Sequence, residues 1–352
     1  MDLPTQPRLR PVEAFPIASP DGGREFVLRD PQGFAAPIAL PYPAAVAASL
    51  MNGERNFAAI HEKFLQLTGM AITPPELIGL VQQLHQRYFL EGDRFRQAWK
   101  VTVETYLNEP TRRAAHAGGA YAADPEALRR QLATTFASPA GPGLPQSSST
   151  PSGALKGVIS PHIDLHRGGP VFAHAYRRIA EESVAEIFVI LGTSHRPMRN
   201  LFCASKKHFD TPLGAAETDK EFVGKLNQRL QRGPTAESFH FPADELLHRS
   251  EHSIEFQTLF LKYLFETRRS IRIVPILVGS FHEFVRTDGS PLASPVVAAF
   301  VQALRALLAE YGDRVCMIAG VDLAHIGPQF GDAKLLAAAD LAEQQADDER
   351  LL

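Results

Sequence analysis

Two rhythms of apolar and polar positions divide the chain. In roughly the first 110 residues the helical spacing dominates. "NFAAIHEKFLQLTG" places Phe57, Ile60, Phe64 and Leu67 on one stripe and ends at Gly69. "TPPELIGLVQQLHQRYFLEG" opens with Thr73 as N-cap, Pro74 at the first helical position and Glu76 three residues on, and its stripe is Leu77, Val81, Leu84 and Tyr88. "REFVLRD", Arg24 to Asp30, reads as a strand, and "FLEGDRF" reads as a tight hairpin wing. Short helices closed by a wing predict a small winged-helix-like α+β module over residues 1–110.

From about residue 113 the pattern changes. "AGGAYAADPEALRRQLATTF" predicts a turn and then a helix entered at Asp124-Pro125. Residues 137–153, "ASPAGPGLPQSSSTPSG", bury little and predict a mobile surface loop. Beyond it, short apolar runs alternate with helical patterns. The runs are "KGVIS" (156–160), "EIFVIL" (186–191), "LFCAS" (201–205), "IRIVPIL" (271–277) and "RVCMIA" (314–319). The helical patterns include "PVFAHAYRRIAEE", "TDKEFVGKLNQRL", "HSIEFQTLFLKYLF" and "SPVVAAFVQALRALLAEYG", the last with Ser294 as N-cap and Gly312 past its end. Continuous apolar strands between helices predict an α/β domain over 113–352, with a mostly parallel or mixed sheet flanked by helices. The last pattern, "KLLAAADLAEQQADDERLL", runs off the terminus uncapped, which reads as a chain truncated at its C-terminus with an edge of the sheet missing.

The bulk composition narrows the function classes. Hydrophobic residues make up 45% of the 352, enough for more than one core. A net charge of -3 argues against nucleic-acid or membrane-surface binding, which need a basic excess. No run reaches the length of a membrane span, and the opening "MDLPTQPRLRPVEAF" has no apolar core after a basic head, so no secretory signal is expected. The two cysteines, Cys203 and Cys316, both fall within apolar strands and read as core thiols of a reducing compartment, the cytoplasm. Thirteen histidines make imidazole the better-supplied metal ligand.

Sites in such sheets lie beyond the carboxyl ends of the strands. The first strand exits into Pro161-His162-Ile163-Asp164, the second into Ser194-His195, and the last into Asp322-Leu323-Ala324-His325. A helix between them opens with Glu251-His252-Ser253. Three strand tips and a helix start thus each present a histidine, which predicts one shared site. Glu251 and Glu255 read as capping and solvating the helix start. Lys206, Lys207 and His208 read as a solvated basic loop, with an anionic-substrate contact as the alternative. Ser194 beside His195 is sequence adjacency, not a nucleophile–base geometry.

"ISPHID", "LGTSH", "FDTPLG", "SEHSIEFQ", "VPILVG" and "VDLAHIGPQF" occur in that order, and "AGGAYAADPEAL" precedes them. Together they resemble the Memo family, which includes protein B of the AmmeMemoRadiSam system. The resemblance covers roughly residues 113–352. It implies a fold like the class III extradiol dioxygenases, a non-haem Fe(II) site, and a radical SAM partner. It implies metal ligation by His162 and His195, with His252 lining the same pocket. Some animal members place a cysteine ligand before the histidine of the last motif; here that position is Ala324. The third ligand is then left among Asp322, His325, His252 and water, with Asp164 a further carboxylate. Fe(II) suits this set best, with Cu or Zn as alternatives. His252 or His325 could move protons, and Asp322 could orient a histidine. In the N-terminal module, "LMNGERNFAAIHEKF" and "YFLEG" resemble the PqqD-like peptide-recognition domains, which implies peptide binding by strand addition. Two functions follow: a metal-dependent, dioxygenase-like oxidoreductase, or a non-catalytic adaptor that uses pocket and module to bind peptides or partner proteins. A zinc hydrolase ranks below both, since no third zinc ligand has a recognisable spacing.

Overall fold

The computed structural model describes residues 3–18, 24–146, 153, 155–287, 289–333 and 335–351. The chain divides into two compact units, Met1–Tyr106 and Leu107–Leu352.

In the first unit, β1 (Glu13–Ala18), β2 (Arg24–Arg29) and β3 (Ile38–Pro41) form an antiparallel sheet in that order. Helices α1 (Tyr42–Ser49), α2 (Phe57–Thr68), α3 (Pro74–Gln86) and α4 (Asp93–Asn108) follow. Ile60, Phe64, Leu77, Val81, Leu84 and Phe89 fill its core. The predicted capping box is formed: Thr73 Oγ1 accepts from the Glu76 N–H, and the Glu76 carboxylate accepts from the Thr73 N–H at 2.7 Å. Two members of the expected stripes lie elsewhere. Leu67 is 59% exposed, since the last turn of α2 reaches past the core. Tyr88 lies beyond the end of α3 at φ 64, a left-handed position, and packs edge-on against Phe34. The expected wing over "FLEGDRF" is also corrected. Leu90 makes an isolated bridge to Leu9, and from Asp93 the chain is helical. Phe95 and Tyr106 supply that helix with buried side chains, which a solvated hairpin tip would forgo. Arg10 and Asp30 form a buried ion pair, with the guanidinium 3.8 Å from the Phe95 ring centre.

The second unit carries the site. Its elements are β4 (Thr111–Arg112), α5 (Pro125–Ala137), β5 (Gly157–Ser160), α6 (Leu165–Glu182), β6 (Ile187–Thr193), β7 (Phe202–Ala204), β8 (His208–Phe209), β9 (Glu217–Thr218), α7 (Lys220–Leu230), α8 (Ser253–Phe265), β10 (Arg272–Val278), α9 (His282–Arg286), α10 (Pro295–Tyr311), β11 (Val315–Gly320) and α11 (Ala338–Leu351). The central sheet runs β5-β11-β6-β10-β7, with β9 also on β10. All its pairings are parallel except β10 with β7, so the sheet is mixed. Strands β6, β10 and β11 are apolar and mostly buried, as a parallel sheet covered on both faces requires, whereas the edge strand β5 leaves Ile159 51% exposed. Helix α8 is buried along nearly its whole length, with Ile254, Leu259 and Phe260 in the core.

Some boundaries differ from the sequence reading. Helix α6 starts at Leu165 rather than Pro170, because the Asp164 side chain caps it by accepting from the Arg167 N–H. Pro170 therefore lies inside the helix. Ser294 precedes α10 without a side-chain cap. Of the expected mobile loop, the stretch up to Gln146 is anchored: the Gly143 N–H donates to the Phe136 carbonyl, and the Arg177 guanidinium to that of Pro142. Residues 147–152 and 154 lie outside the described residues. Among the described residues no helix is long and apolar enough to cross a membrane.

Candidate metal centre

The sheet order explains why residues 160 positions apart meet. Strands β5, β11 and β6 are adjacent and parallel, with Ser160 opposite Gly320 and Gly320 opposite Gly192. All three strands therefore end side by side. Two residues beyond Ser160 stands His162, two beyond Gly320 stands Asp322, and three beyond Gly192 stands His195. Helix α8 brings His252 to the same place, its first turn resting on the strand ends. The Ser253 hydroxyl donates to the Thr193 carbonyl at 2.8 Å, and the Gln257 amide donates to the Pro161 carbonyl at 2.8 Å. Gly192 and Gly320 permit this approach. A Cβ on Gly192 would stand 2.5 Å from Ile254 Cγ1 and 2.7 Å from Ser253 Oγ; one on Gly320 would stand 3.1 Å from the Ser253 carbonyl oxygen.

The result is a triplet of imidazoles. One ligand atom from each of His162, His195 and His252 falls within 4.8 Å of the others. The His195 and His252 rings stack at 4.6 Å, and the His162 ring stands edge-on to both, at 5.0 and 5.6 Å. Two rings have their tautomers fixed by what they touch. His162 Nδ1 lies 2.8 Å from the Gly320 carbonyl oxygen, which can only accept, so Nδ1 carries the hydrogen. His195 Nδ1 lies 3.0 Å from the Glu251 carboxylate and donates to it. In both, Nε2 keeps a bare lone pair, the arrangement in which a metal-binding histidine is commonly held. Burial pushes His252 down to about 4, against a partial upward pull from Glu251, so this ring stays neutral at ordinary pH. His195 moves up instead, because its hydrogen bond to Glu251 outweighs its desolvation.

The carboxylates have defined work. Asp322 accepts from the His162 backbone N–H at 2.7 Å, and its other oxygen lies 3.6 Å from both His162 Nε2 and His325 Nε2. His325 is half-exposed and stands outside the triplet. Asp164 is spent on capping α6, and Ser194 donates to the Arg196 carbonyl, so neither is directed at the imidazoles.

The reading of Glu251 and Glu255 as solvated is corrected. Glu251 does cap α8, accepting from the His252 and Ser253 N–H groups, but its side chain is 7% exposed and it also holds His195 through ring and backbone. Burial alone would raise its carboxyl; the His195 hydrogen bonds and the neighbouring imidazoles bring it down to about 2. Glu255 is wholly buried and pairs with the Arg112 guanidinium, which also donates to the His248 and Glu251 carbonyls. Tyr121 donates its hydroxyl to the same carboxylate, and His116 donates its backbone N–H at 3.0 Å. The His116 ring then stands edge-on to His252 at 5.7 Å. Arg112, His116, Tyr121 and Gln257 thus support the site, and only residue type could have marked them in the sequence. The basic cluster is corrected too: Lys206 is exposed, but Lys207 is buried, its ammonium donating to the Leu107 and Glu109 carbonyls, and His208 accepts from the Thr218 N–H.

Imidazoles gathered where parallel strands end, with carboxylates behind them, define an α/β protein with a histidine group able to hold a metal ion. Residues 112–352 match the Memo-like protein family, and the chain belongs to it. A MEMO1 family protein of Aquifex aeolicus is 28% identical over 310 residues, 88% of this chain and 74% of the relative. That match is longer than the second unit, so it extends into the first. A MEMO1 family protein of Methanothermobacter thermautotrophicus is 33% identical over 220 residues, 62% of this chain and 71% of the relative. One from Methanopyrus kandleri is 36% identical over 165 residues, covering 46% and 54%.

Proposed function

We propose that His162, His195 and His252 hold a divalent metal ion, with Fe(II) as the resident ion, and that the chain is a dioxygenase-like oxidoreductase. The observation that carries this reading is the convergence of three ligand atoms within 4.8 Å, with the Nδ1 atoms of two rings already engaged. The donor set fits: neutral nitrogens with a carboxylate nearby suit Fe(II), and also Cu or Zn. When bound, the ion would supply Lewis acidity and one-electron chemistry at positions left open to substrate. The protein's own residues do the rest. Glu251 orients His195, and Asp322 fixes the His162 backbone while its other oxygen lies 3.6 Å from both His162 Nε2 and His325 Nε2. His325, beside Asp322 and half-exposed, is placed to exchange protons with solvent. The mixed sheet and its helices support the likeness to class III extradiol dioxygenases, and membership in the Memo-like family supports a radical SAM protein as partner. Anaerobic purification of the full chain followed by metal analysis tests the assignment. About one iron per chain supports it; no iron, with zinc that is lost in the His162→Ala/His195→Ala double variant, would replace it with the hydrolytic reading.

A second reading, the non-catalytic adaptor, is favoured by the first unit. There a groove of about 1050 Å³ runs beside β1 and is lined by Val12, Ala14, Phe26, Tyr42, Ala45 and Met51 among others. Strand β1 is an edge strand and exposes Phe15 and Ile17, as strand addition by a peptide requires. Hydrogen exchange of the full chain with and without a co-purified partner tests it. Protection of Glu13–Ala18 supports peptide binding there, and unchanged exchange removes it.

A further inference from the structure

A second group of metal-binding atoms lies away from the imidazole triplet. Cys203 sits in the middle of β7, and Glu245 and His248 lie in the 3-10 turn Glu245–Arg249. The Cys203 sulfur, a Glu245 carboxylate oxygen and a His248 ring nitrogen fall within 4.8 Å of one another. Cys203 and His248 are 0% and 1% exposed.

The His248 ring is the telling member. Its Nε2 lies 3.1 Å from the Cys203 carbonyl oxygen, which can only accept, so Nε2 carries the hydrogen. Nδ1 is left with a bare lone pair, buried, and without a hydrogen-bond partner among the described residues. A buried acceptor left unsatisfied is costly, so it calls for an explanation. One ring N–H given to a backbone carbonyl and the other nitrogen free is the posture of a metal-ligating histidine. Burial keeps the ring neutral, with its proton affinity down to about 4. The other two donors are also held in place: the Cys203 thiol donates to the Phe241 carbonyl at 3.3 Å, and Glu245 accepts from the Ser205 hydroxyl at 2.8 Å.

We propose that Cys203, Glu245 and His248 form a second metal site, for zinc, separate from the His162, His195 and His252 group. One sulfur, one nitrogen and one carboxylate oxygen match the ligand types zinc takes, and the thiol disfavours magnesium or calcium. On binding, a zinc–sulfur bond replaces the S–H bond and the proton leaves to solvent, with no change of oxidation state. The site ties β7 to the 3-10 turn that leads into Glu251 and His252, so its role is structural.

The chain has two cysteines, and none of the first group's residues is one, so thiolate ligation reports on the second site alone. The test loads the metal-free full chain with Co(II) and reads the ultraviolet thiolate-to-cobalt charge-transfer band. The band is expected in the wild type, in the His162→Ala/His195→Ala double variant and in Cys316→Ser, and is expected to vanish in Cys203→Ser. Zinc titration should likewise lose about one equivalent in Cys203→Ser while the double variant keeps it. Should Cys203→Ser fail to fold, the wild type and Cys316→Ser still decide. Absence of the band from wild type, or its loss in Cys316→Ser, overturns the proposal, as does an unchanged band in Cys203→Ser.

Discussion

Glu251 grips His195 twice, accepting from its backbone N–H at 2.9 Å and from its ring Nδ1 at 3.0 Å. The same carboxylate caps the helix that carries His252. One buried anion therefore sets the position of two of the three imidazoles. Glu251→Gln keeps the size but loses the charge, and its amide can accept through only one atom. Metal affinity should fall about 10–100-fold, as is usual for the partner of a metal-bound histidine. Isothermal titration against the metal-free chain checks this; unchanged affinity would detach Glu251 from the site.

His252 and His325 compete as third ligand in the sequence, and the geometry separates them. His252 lies in the triplet, whereas His325 lies outside it, 3.6 Å from Asp322. His252→Ala should lose metal by at least tenfold in affinity, while His325→Ala should stay within about twofold. Equal losses would mean that the ion sits nearer Asp322 than the triplet implies.

The Glu255–Arg112 pair is fully buried, and its loss should show in stability against pH. Burial by itself raises the Glu255 carboxyl, but Arg112 and its other partners hold it below the ordinary 4.5. A depressed carboxyl contributes stability above its unfolded-state value and gives it up as pH falls through the folded-state value. Wild-type stability should thus decline as pH drops below about 4.5, and Glu255→Gln should show a shallower acid limb. At neutral pH that variant leaves Arg112 buried and unpaired, at a cost of about 3–5 kcal/mol. Denaturant melts across the pH range check both; a parallel acid limb would contradict the assignment.

Gly192 marks where helix α8 meets the end of β6. Gly192→Ala places a methyl 2.5 Å from Ile254 Cγ1 and 2.7 Å from Ser253 Oγ, so these side chains, or the helix that carries them, must give way. The expected cost is about 1–3 kcal/mol of overpacking, with weaker metal binding where the helix shifts, because His195 follows β6 and His252 precedes α8. Tight binding in a stably folded Gly192→Ala chain would show that this approach is not needed.

The ends of the strands are legible in the sequence, and little behind them is. Apolar runs with abrupt polar exits are a local pattern, so His162, His195 and Asp322 stood out, and the buried strands were placed to within a residue or two. The supporting shell is not local: Arg112 and Tyr121 meet Glu255 across more than 130 residues of chain. Glu251 and Glu255 carry no sequence mark of their role for the same reason, since a glutamate at a helix start is ordinarily a solvated cap and only tertiary burial turns it into an anchor. In the first unit, "FLEGDRF" looks like a hairpin wing in sequence, whereas the buried Phe95 and Tyr106 favour a helix from Asp93. Strand order, which decides which tips become neighbours, has no local signature at all.

The central claim is that imidazoles from two strand tips hold the ion. Anaerobic metal analysis of the full chain beside its His162→Ala/His195→Ala double variant tests it most directly, with circular dichroism to confirm that both are folded. The account predicts about one iron per chain in the wild type and a loss of at least tenfold in the double variant; equal iron in two folded proteins would contradict it.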